Sequence, residues 1–452
     1  MERTSIKENK MGTAPVFGLI LSMSIPAMFS MTIQALYNVV DSVFVGQLGN
    51  EALTALSLAY PLQMLLIAVA VGTGVGINSL VSRRLGEKNY KEANDAATHG
   101  LILAVFSWIV FLIIGVFFTK PFFSIFTDNE LVYNYGVQYT TVVLIASLFA
   151  FIEINIEKTL QSTGNMIFPM FFQLTGAITN IVLDPILIFG IGPFPRMEVL
   201  GAAVATVTGQ AFSMIFSIIV LFAKEHHVTV SFKGFKLNKL TVKNIYAVGL
   251  PSIVMQSISS VLIFGMNAIL VGFSDIAVSV LGVYYKLQSF VFMPVFGLNQ
   301  GVMPIIGYNY GARNKTRLYS ALKYGCFIAV VIMTLGTLAF WIFPEQLLSM
   351  FGNSSELIAV GTGAFRTISL CFIPAAIGIM FTTLFQATGK GIRSLFMSFL
   401  RQLVLILPIA YFLSNFGLDY VWWAFPIAEG GSLIAAILFF LNLVKGDFKK
   451  LR

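Results

Sequence analysis

Residues 71–89 read VGTGVGINSLVSRRLGEKN and join the end of a long apolar run to an abrupt group of basic residues. The run begins near residue 52, so it exceeds the roughly 20 mostly apolar residues that a helix needs to cross a bilayer. Arg83 and Arg84 follow it directly, and basic residues in this position mark the cytosolic end of a membrane helix. The stretch therefore predicts a membrane-spanning helix that ends in a cytosolic connection.

The whole chain has the composition of a membrane protein. Its 452 residues are 57% hydrophobic and only 11% charged, whereas soluble proteins carry about 25% charged residues. At roughly 20 residues for each crossing, this length holds about a dozen crossings and leaves no room for a nucleotide-binding domain. The polar start, MERTSIKENKMGTAP, precedes an apolar segment without an A-x-A-type cleavage site, so we expect it to remain as a cytosolic tail.

Apolar runs recur along the chain, and twelve helices are the economical count. A backbone in lipid must satisfy its hydrogen bonds as helix or closed barrel, and the alternation of barrel strands is absent. The sequence therefore predicts an all-α polytopic membrane protein with 12 transmembrane helices. The runs lie at about 16–45, 52–80, 97–119, 133–157, 166–192, 199–223, 243–271, 277–306, 319–343, 357–385, 395–415 and 420–444.

Lysine and arginine predict the orientation of these helices. Alternate connections hold most of the basic residues, while the opposite connections have almost only Lys120 and Arg196. Both termini and the central loop should therefore be cytosolic, which requires an even number of crossings. The net charge of +8 then reflects topology, and we expect no nucleic-acid partner. The basic positions are Arg3, Lys7, Lys10, Arg83, Arg84, Lys88, Lys91, Lys224, Lys233, Lys236, Lys239, Lys243, Arg313, Lys315, Arg317, Lys323, Lys445, Lys449, Lys450 and Arg452.

The chain repeats itself at a displacement of 225 residues. A constant offset over most of a half is hard to obtain by chance, so we interpret the halves as an N-lobe, 1–232, and a C-lobe, 233–452. Six crossings in each lobe give both copies the same orientation, with a cleft between them, as in alternating-access transporters. The matches are Ile25-Pro26 with Leu250-Pro251, Tyr60-x-Leu62-Gln63 with Tyr285-x-Leu287-Gln288, Gly86-x-x-Asn89 with Gly311-x-x-Asn314, and Gln161-x-Thr163-Gly164 with Gln386-x-Thr388-Gly389.

Two aspartates deep in apolar runs are the leading candidates for chemistry. An ionised carboxylate inside a spanning helix costs about 3 kcal/mol on insertion scales, so such residues usually face the bundle interior. Asp41 follows Asn38 by one turn, and Asp184 follows Asn180 in the same way. Carboxylate and amide oxygens suit sodium, and a carboxyl in an apolar setting can also bind a proton near neutrality. The alternative is that each aspartate only stabilises contacts between helices.

Five other intramembrane charges have less defined roles. Glu153 and Glu157 share a helical face, where a structural role is about as well supported as a transport role. Lys286 and Arg366 could pair with acids, contact substrate or extend to the membrane interface. Glu429 stays undecided.

A set of glutamines, aromatics and methionines predicts an adaptable cavity for flat amphipathic cations, although helix packing explains any single member. The Gly72-x-Gly74-x-Gly76 run lies in an apolar helix and follows no strand, so close helix packing explains it better than a dinucleotide site. We expect no nucleotide, no cofactor and no metal other than a sodium ion. The cavity set is Gln34, Tyr37, Gln63, Met255, Gln256, Gln288 and Met293.

At this point several segments resemble the multidrug and toxic compound extrusion (MATE) family over nearly the whole chain. They are Ile25-Pro26, Asp41-Ser42-Val43-Phe44-Val45-Gly46, residues 71–89, Thr163-Gly164-Asn165, NIVLDPILIFG (180–190), GLPS (249–252) and GYNYGARN (307–314).

The resemblance implies a monomer in the bacterial inner membrane that exports small organic cations in exchange for protons or sodium. It implies cation coupling at Asp41, Asn180 and Asp184, as in the branch with N-lobe carboxylates. A second branch carries C-lobe acids, but Gln256 and neutral residues from 372 to 386 stand there, so a C-lobe sodium site is not expected.

Three alternatives remain beside this interpretation. A flippase or exporter of lipid-linked or cell-wall intermediates should have a strongly cationic cavity, yet intramembrane acids outnumber bases here. A major-facilitator transporter would carry a G-x-x-x-D-R-x-G-R pattern, which is absent around Arg83-Arg84-Leu85-Gly86. A membrane-embedded enzyme would need a clustered acid motif, a His/Cys constellation or a metal site, and the three histidines assemble none.

Overall fold

A computed structural model describes residues 8–352 and 354–451, apart from the side chains of Asn38 and Val39. Arg3, Lys7 and Arg452, which the topology prediction used, lie outside this range. The described residues form helices joined by short connections and include no strand. The chain is therefore an all-α, multi-pass membrane protein.

Within the part of the chain that the structure describes, ten helices are long and apolar enough to cross a membrane, and two bent helix pairs raise the number to twelve. We number them α1 to α12. They are α1 (Val16–Gly46), α2 (Asn50–Gly86), α3 (Tyr90–Phe126), α4 (Glu130–Ile145 and Leu148–Ser162), α5 (Ile167–Phe189), α6 (Glu198–Ala223), α7 (Lys239–Val271), α8 (Asp275–Gly311), α9 (Lys315–Ile342), α10 (Ser355–Ser369 and Phe372–Ala387), α11 (Gly391–Ser414) and α12 (Leu418–Lys450).

The internal repeat is visible in the shape of the helices. The two parts of α4 meet at 47°, and the two parts of α10 meet at 44° at the equivalent place in the C-lobe. Each of these helices ends in the Thr-Gly motif, where Gly164 has φ +90° and Gly389 has φ +80°. Side chains rarely adopt such values, so the repeated glycine supplies the turn that sends the chain into the next helix.

Glycines also explain how closely the lobes approach. A Cβ on Gly86 of α2 would collide with the backbone of Tyr308 on α8, and a Cβ on Gly311 of α8 would collide with the backbone of Arg83 on α2. The repeated Gly-x-x-Asn motif therefore lies at a reciprocal crossing of the two lobes. Gly72, Gly74 and Gly76 likewise face Ile253, Lys158 and Ile245, which confirms the packing interpretation of that run.

The contacts between the lobes show on which side the cleft opens. Among the described residues, every hydrogen bond between the lobes lies in the half of the helices nearer the chain ends or at their middle. The bonds nearest the opposite side join Gln256 Nε2 to the Ala68 carbonyl, at 3.5 Å, and Gln300 Nε2 to Met31 Sδ, at 3.3 Å. The cleft therefore opens on the side opposite the chain ends.

The start of the described chain contacts both lobes on the closed side. Asn9 Nδ2 donates to the Thr163 carbonyl in the N-lobe, at 3.0 Å. In the C-lobe, Asn309 Nδ2 donates to the Met11 carbonyl at 3.0 Å, and Arg317 donates to the Ala14 carbonyl at 2.6 Å. This segment thus reinforces the contact between the lobes before α1 begins.

Candidate functional site

The structure brings Asp41, Asn180 and Asp184 together in the N-lobe, in the half of the bundle where the cleft opens. The carboxyl groups of Asp41 on α1 and Asp184 on α5 are in hydrogen-bonding contact. Asn180 Nδ2 donates to Asp184 Oδ1 at 3.3 Å, because residues four apart share a helical face. Asp184 is fully buried, whereas Asp41 is half-buried. The three residues that the sequence analysis expected to bind a coupling cation therefore form a single cluster.

Hydroxyl groups surround the two carboxyls. Thr206 Oγ1 on α6 lies 3.2 Å from Asn180 Nδ2, and Thr206 also hydrogen-bonds the Tyr37 hydroxyl. Tyr139 of α4 lies close enough to Asp41 to interact electrostatically, and its hydroxyl accepts a 2.8 Å hydrogen bond from Gln63 Nε2. The cluster is therefore built from α1, α2, α4, α5 and α6.

Sequence reasoning missed Thr206 and Tyr139. A hydroxyl group can bond the carbonyl one turn back, so its presence inside an apolar helix carries little signal. Tyr139 has no charged or amide neighbour one turn away, and Gln210, one turn after Thr206, was not used as a signal. Thr206 and Tyr139 lie beside the aspartates only because α4 and α6 pack against α1 and α5.

Three oxygens of the cluster lack a donor. Asp41 Oδ1, Asn180 Oδ1 and Asp184 Oδ2 are buried, and no described residue donates a hydrogen bond to them. A buried acceptor without a partner costs free energy, so the arrangement favours uptake of a proton or of a cation that prefers oxygen ligands. The described residues contain no group of three or more His, Cys, Asp or Glu side chains that could hold a metal ion.

Glu157 belongs to a different cluster, which joins the lobes. Its Oε1 contacts Lys158 Nζ at 2.8 Å, and Lys158 Nζ also donates to Gln300 Oε1 on α8 at 3.1 Å. Gln161 Nε2 donates to the same Gln300 oxygen at 2.9 Å. We call Glu157, Lys158, Gln161 and Gln300 the interlobe cluster. Glu153, one turn away, is buried, and no described residue donates to its Oε1.

The remaining intramembrane charges separate into two kinds. Lys286 is exposed and lies 5.7 Å from the centre of the Phe351 ring. Arg366 is exposed too, and its Nε donates to the Trp341 carbonyl at 3.3 Å. The roles that the sequence left open for Lys286 and Arg366 stay predictions. Glu429 is buried in the C-lobe and pairs with Arg401, which the sequence analysis overlooked.

The predicted cavity residues do not meet in one place. Tyr37 and Gln63 join the N-lobe cluster, Met255 lines a cavity in the C-lobe, and Gln256 contacts α2 across the cleft. Gln34 is exposed, and Gln288 and Met293 are half-buried. Their role in binding substrate stays a prediction.

A two-lobed bundle of twelve helices with a one-sided cleft and a pair of aspartates packed together in the N-lobe defines a secondary transporter, not an enzyme. The MatE family model matches residues 26–186 and 251–412. The chain therefore belongs to the MATE family of transporters. The two matched segments begin 225 residues apart, since 251 − 26 = 225, which is the displacement of the internal repeat.

Curated relatives and solved structures agree with this assignment. The chain is 27% identical over 416 residues to the multidrug export protein MepA of Staphylococcus haemolyticus, covering 92% of this chain and 91% of the relative. It is 28% identical over 405 residues to the FAD transporter of Shewanella oneidensis, covering 88% of each. A MATE family multidrug resistance transporter solved in an outward-facing conformation matches with a TM-score of 0.91 and 28% identity, over 98% of this chain and 99% of the other.

Another solved structure carries a functional contrast. A MOP superfamily transporter from Pyrococcus furiosus, described as having a binding pocket of reverse polarity, matches with a TM-score of 0.91 and 27% identity. That alignment covers 97% of this chain and 99% of the other. One framework therefore carries pockets of different charge.

Proposed function

We propose that this protein exports cationic amphipathic compounds from the bacterial cytoplasm in exchange for protons or sodium ions, by alternating access of the cleft to the two sides of the inner membrane. The contact between the Asp41 and Asp184 carboxyls carries this proposal. Its support is chemical, because two acids buried together favour binding of a positive charge. Relatives named multidrug export proteins point to the same class of substrate.

Competition for the carboxyl pair supplies the exchange. A proton or sodium ion bound between Asp41 and Asp184 satisfies their open oxygens and removes the negative charge that attracts a cationic substrate. The substrate then leaves on the side where the cleft is open. For the cleft to open on the other side, the interlobe contacts must break. The ion gradient therefore drives a cycle in which the ion and the substrate bind alternately.

The experiment is ethidium transport into and out of proteoliposomes without nucleotide, under an imposed proton gradient and then a sodium gradient. We expect one gradient to drive transport in the wild type and Asp184→Asn to abolish it. Asp128→Asn is the matched control, because Asp128 is exposed in the connection between α3 and α4. Undiminished gradient-driven transport by Asp184→Asn would refute the coupling site.

A different substrate class is the main alternative. A flippase or exporter of a lipid-linked or cell-wall intermediate would show no ethidium movement under either gradient. The relative named an FAD transporter makes flavin dinucleotide a useful second cargo in the same assay. If a gradient drives movement of the flavin but not of ethidium, the protein is an antiporter whose substrate is not a cationic compound.

A further inference from the structure

The C-lobe contains a cavity of about 140 Å³ that is separate from the aspartate cluster. An apolar cavity of about 150 Å³ in another protein holds one benzene ring, so this one accommodates a single ring or one end of a larger molecule. Its wall comes from α7, α8, α10, α11 and α12. The lining combines the soft apolar side chains Met255, Phe296 and Met397 with uncharged polar side chains such as Asn299 and Thr382.

An ion pair lies in the wall of this cavity near the middle of the membrane. Arg401 is ten residues into α11, and Glu429 is eleven residues into α12. At 1.5 Å per residue these positions are about 15 Å deep, which is half of the roughly 30 Å hydrocarbon core. Charges at this depth are expensive and usually mark a transport or binding site.

The pair is loosely engaged. A single contact joins Arg401 Nη1 to Glu429 Oε1 at 3.5 Å, and the side chains are 27% and 7% exposed. A guanidinium has five N–H donors, yet Glu429 is the one described residue that accepts a hydrogen bond from Arg401. The remaining N–H groups of Arg401 are therefore available to a ligand. Replacing the long contact with Glu429 by a contact with a ligand costs little free energy.

The local backbone provides room for such an exchange. Arg401 lies in a π-helical segment, Leu400–Ile406, a rare geometry that often occurs at functional sites. Across the cavity, Gly378 leaves one side of the Glu429 carboxylate uncovered. A Cβ at this position would lie 3.5 Å from Glu429 Oε1, which is ordinary contact, so an alanine would cover the oxygen without displacing the helix.

The charge balance selects the ligand. Arg401 and Glu429 together are neutral, so a lone cation or a lone anion would leave one uncompensated charge inside the membrane. A molecule with both charges replaces one ion pair by two and keeps the cavity neutral. We propose that this cavity binds the zwitterionic end of a small aromatic compound, with its carboxylate on Arg401 and its ammonium group on Glu429.

The apolar lining explains the aromatic part of the proposal. Phe296 offers a ring face, and Met255 and Met397 offer polarisable sulfur atoms that pack well against rings. Binding here does not require the Asp41–Asp184 pair, so it stands or falls separately from the proposed coupling site.

The test uses the full-length protein in lipid nanodiscs and three fluorinated probes observed by fluorine NMR. The zwitterion is para-fluoro-L-phenylalanine, the cation is its amide, and the anion is para-fluorophenylpropionate. We expect saturable binding of the zwitterion to the wild type with at least about tenfold higher affinity than either singly charged probe, because each of the latter loses a charge-assisted hydrogen bond.

Substitutions should then reverse the order of the probes. Arg401→Gln leaves a net negative cavity and should prefer the amide, whereas Glu429→Gln leaves a net positive cavity and should prefer the propionate. Gly378→Ala should weaken zwitterion binding while the melting temperature stays at the wild-type value. Arg366→Gln is the matched control, since this arginine lies in the C-lobe outside the cavity and should leave all three affinities unchanged.

Equal affinities of the wild type for the three probes would overturn the proposal, as would the absence of saturable zwitterion binding. An unchanged order of affinities in folded Arg401→Gln and Glu429→Gln would overturn it too. If one charge variant fails to fold, Gly378→Ala still decides, because full zwitterion affinity in that variant contradicts a ligand on Glu429. Asp184→Asn should bind the zwitterion as the wild type does, whatever its effect on transport.

Discussion

Replacing Gln300 by leucine should release the lobes on their closed side. Gln300 Oε1 accepts one hydrogen bond from Lys158 Nζ at 3.1 Å and one from Gln161 Nε2 at 2.9 Å, both across the lobe boundary. A bond to a charged group contributes about 1.5–3 kcal/mol and a neutral one about 0.5–1.5 kcal/mol. Lys158 keeps Glu157 as a partner in the variant, so we expect a combined loss of about 2 kcal/mol at this partly exposed site.

That loss applies only to the conformation in which the lobes touch here, because the same groups are solvated when the lobes part. About 2 kcal/mol corresponds to a roughly thirtyfold change in the ratio of the two conformations. Spin labels at Lys91 and Thr316 report the ratio, since these exposed positions are repeat equivalents near the closed ends of α3 and α9. Cys326 and Cys371, both free thiols, are first replaced by serine and alanine.

Electron–electron distance distributions between the two labels then compare the variants. Gln300→Leu should shift population from the shorter to the longer distance by about the thirtyfold ratio stated above. Gln346→Leu serves as the control, because Gln346 is exposed in the short helix Pro344–Ser349, away from the lobe boundary. If Gln300→Leu and the control give the same distribution, the interlobe cluster does not hold this conformation.

Two more predictions follow from the packing and from the N-lobe cluster. Gly86→Ala puts a methyl group onto the Tyr308 backbone and should lower the melting temperature by several degrees, whereas Gly18→Ala, with open space around its Cβ, should leave it unchanged. Equal melting temperatures in the two variants would show that the crossing of α2 and α8 is dispensable. Thr206→Val removes the hydroxyl beside Asn180 at a cost of about 1 kcal/mol and should reduce gradient-driven transport about fivefold with normal insertion. Transport at the wild-type rate would exclude Thr206 from the cluster.

The fold could be predicted from the sequence because membrane insertion imposes rules that act locally. The length and apolarity of each run predict a membrane-spanning helix, and the internal repeat predicts that the two halves have equivalent folds. The bends at 145–148 and 369–372 were not predicted, since each bent pair contains a continuous apolar run. Pro374, just after the second bend, cannot donate a hydrogen bond to the Leu370 carbonyl, so that break had a signal in the sequence, whereas no proline lies near the first bend.

The site was partly predictable for a related reason. An aspartate in an apolar helix is conspicuous, so Asp41 and Asp184 were found, and the fold brings them together. Arg401 is equally conspicuous as a charge inside an apolar run and was overlooked, whereas its pairing with Glu429 in the next helix and the cavity between them could not be seen. A contact between side chains on two different helices depends on how the helices pack, and no fixed spacing in the sequence indicates it.

The two lobes share their framework but not their charges. Gly86 and Gly311 make reciprocal contacts, and Gly164 and Gly389 make equivalent turns, so the mechanical parts occur twice. At the repeat displacement of 225, however, Asp184 corresponds to Ile409, Arg401 to Gly176 and Glu429 to Val204.

No charge of either site is therefore matched in the other lobe. In the proposed cycle, the symmetric framework allows the lobes to rock between two similar packings, because each lobe presents an equivalent surface to its partner. In the same proposal, the unsymmetric charge pattern lets an ion act on one lobe alone, and a bound ligand biases the choice between packings by its differential affinity. On this reasoning, an acid pair can be moved into the C-lobe at Ile409 and at Asn267, which lies opposite Asp41 at a displacement of 226, one residue off the repeat. The variant Asn267→Asp with Ile409→Asp should create a second ion-binding site without changing the fold. Uptake of additional protons or sodium ions by that variant measures the effect, and unchanged ion uptake would show that the C-lobe geometry does not accommodate the pair.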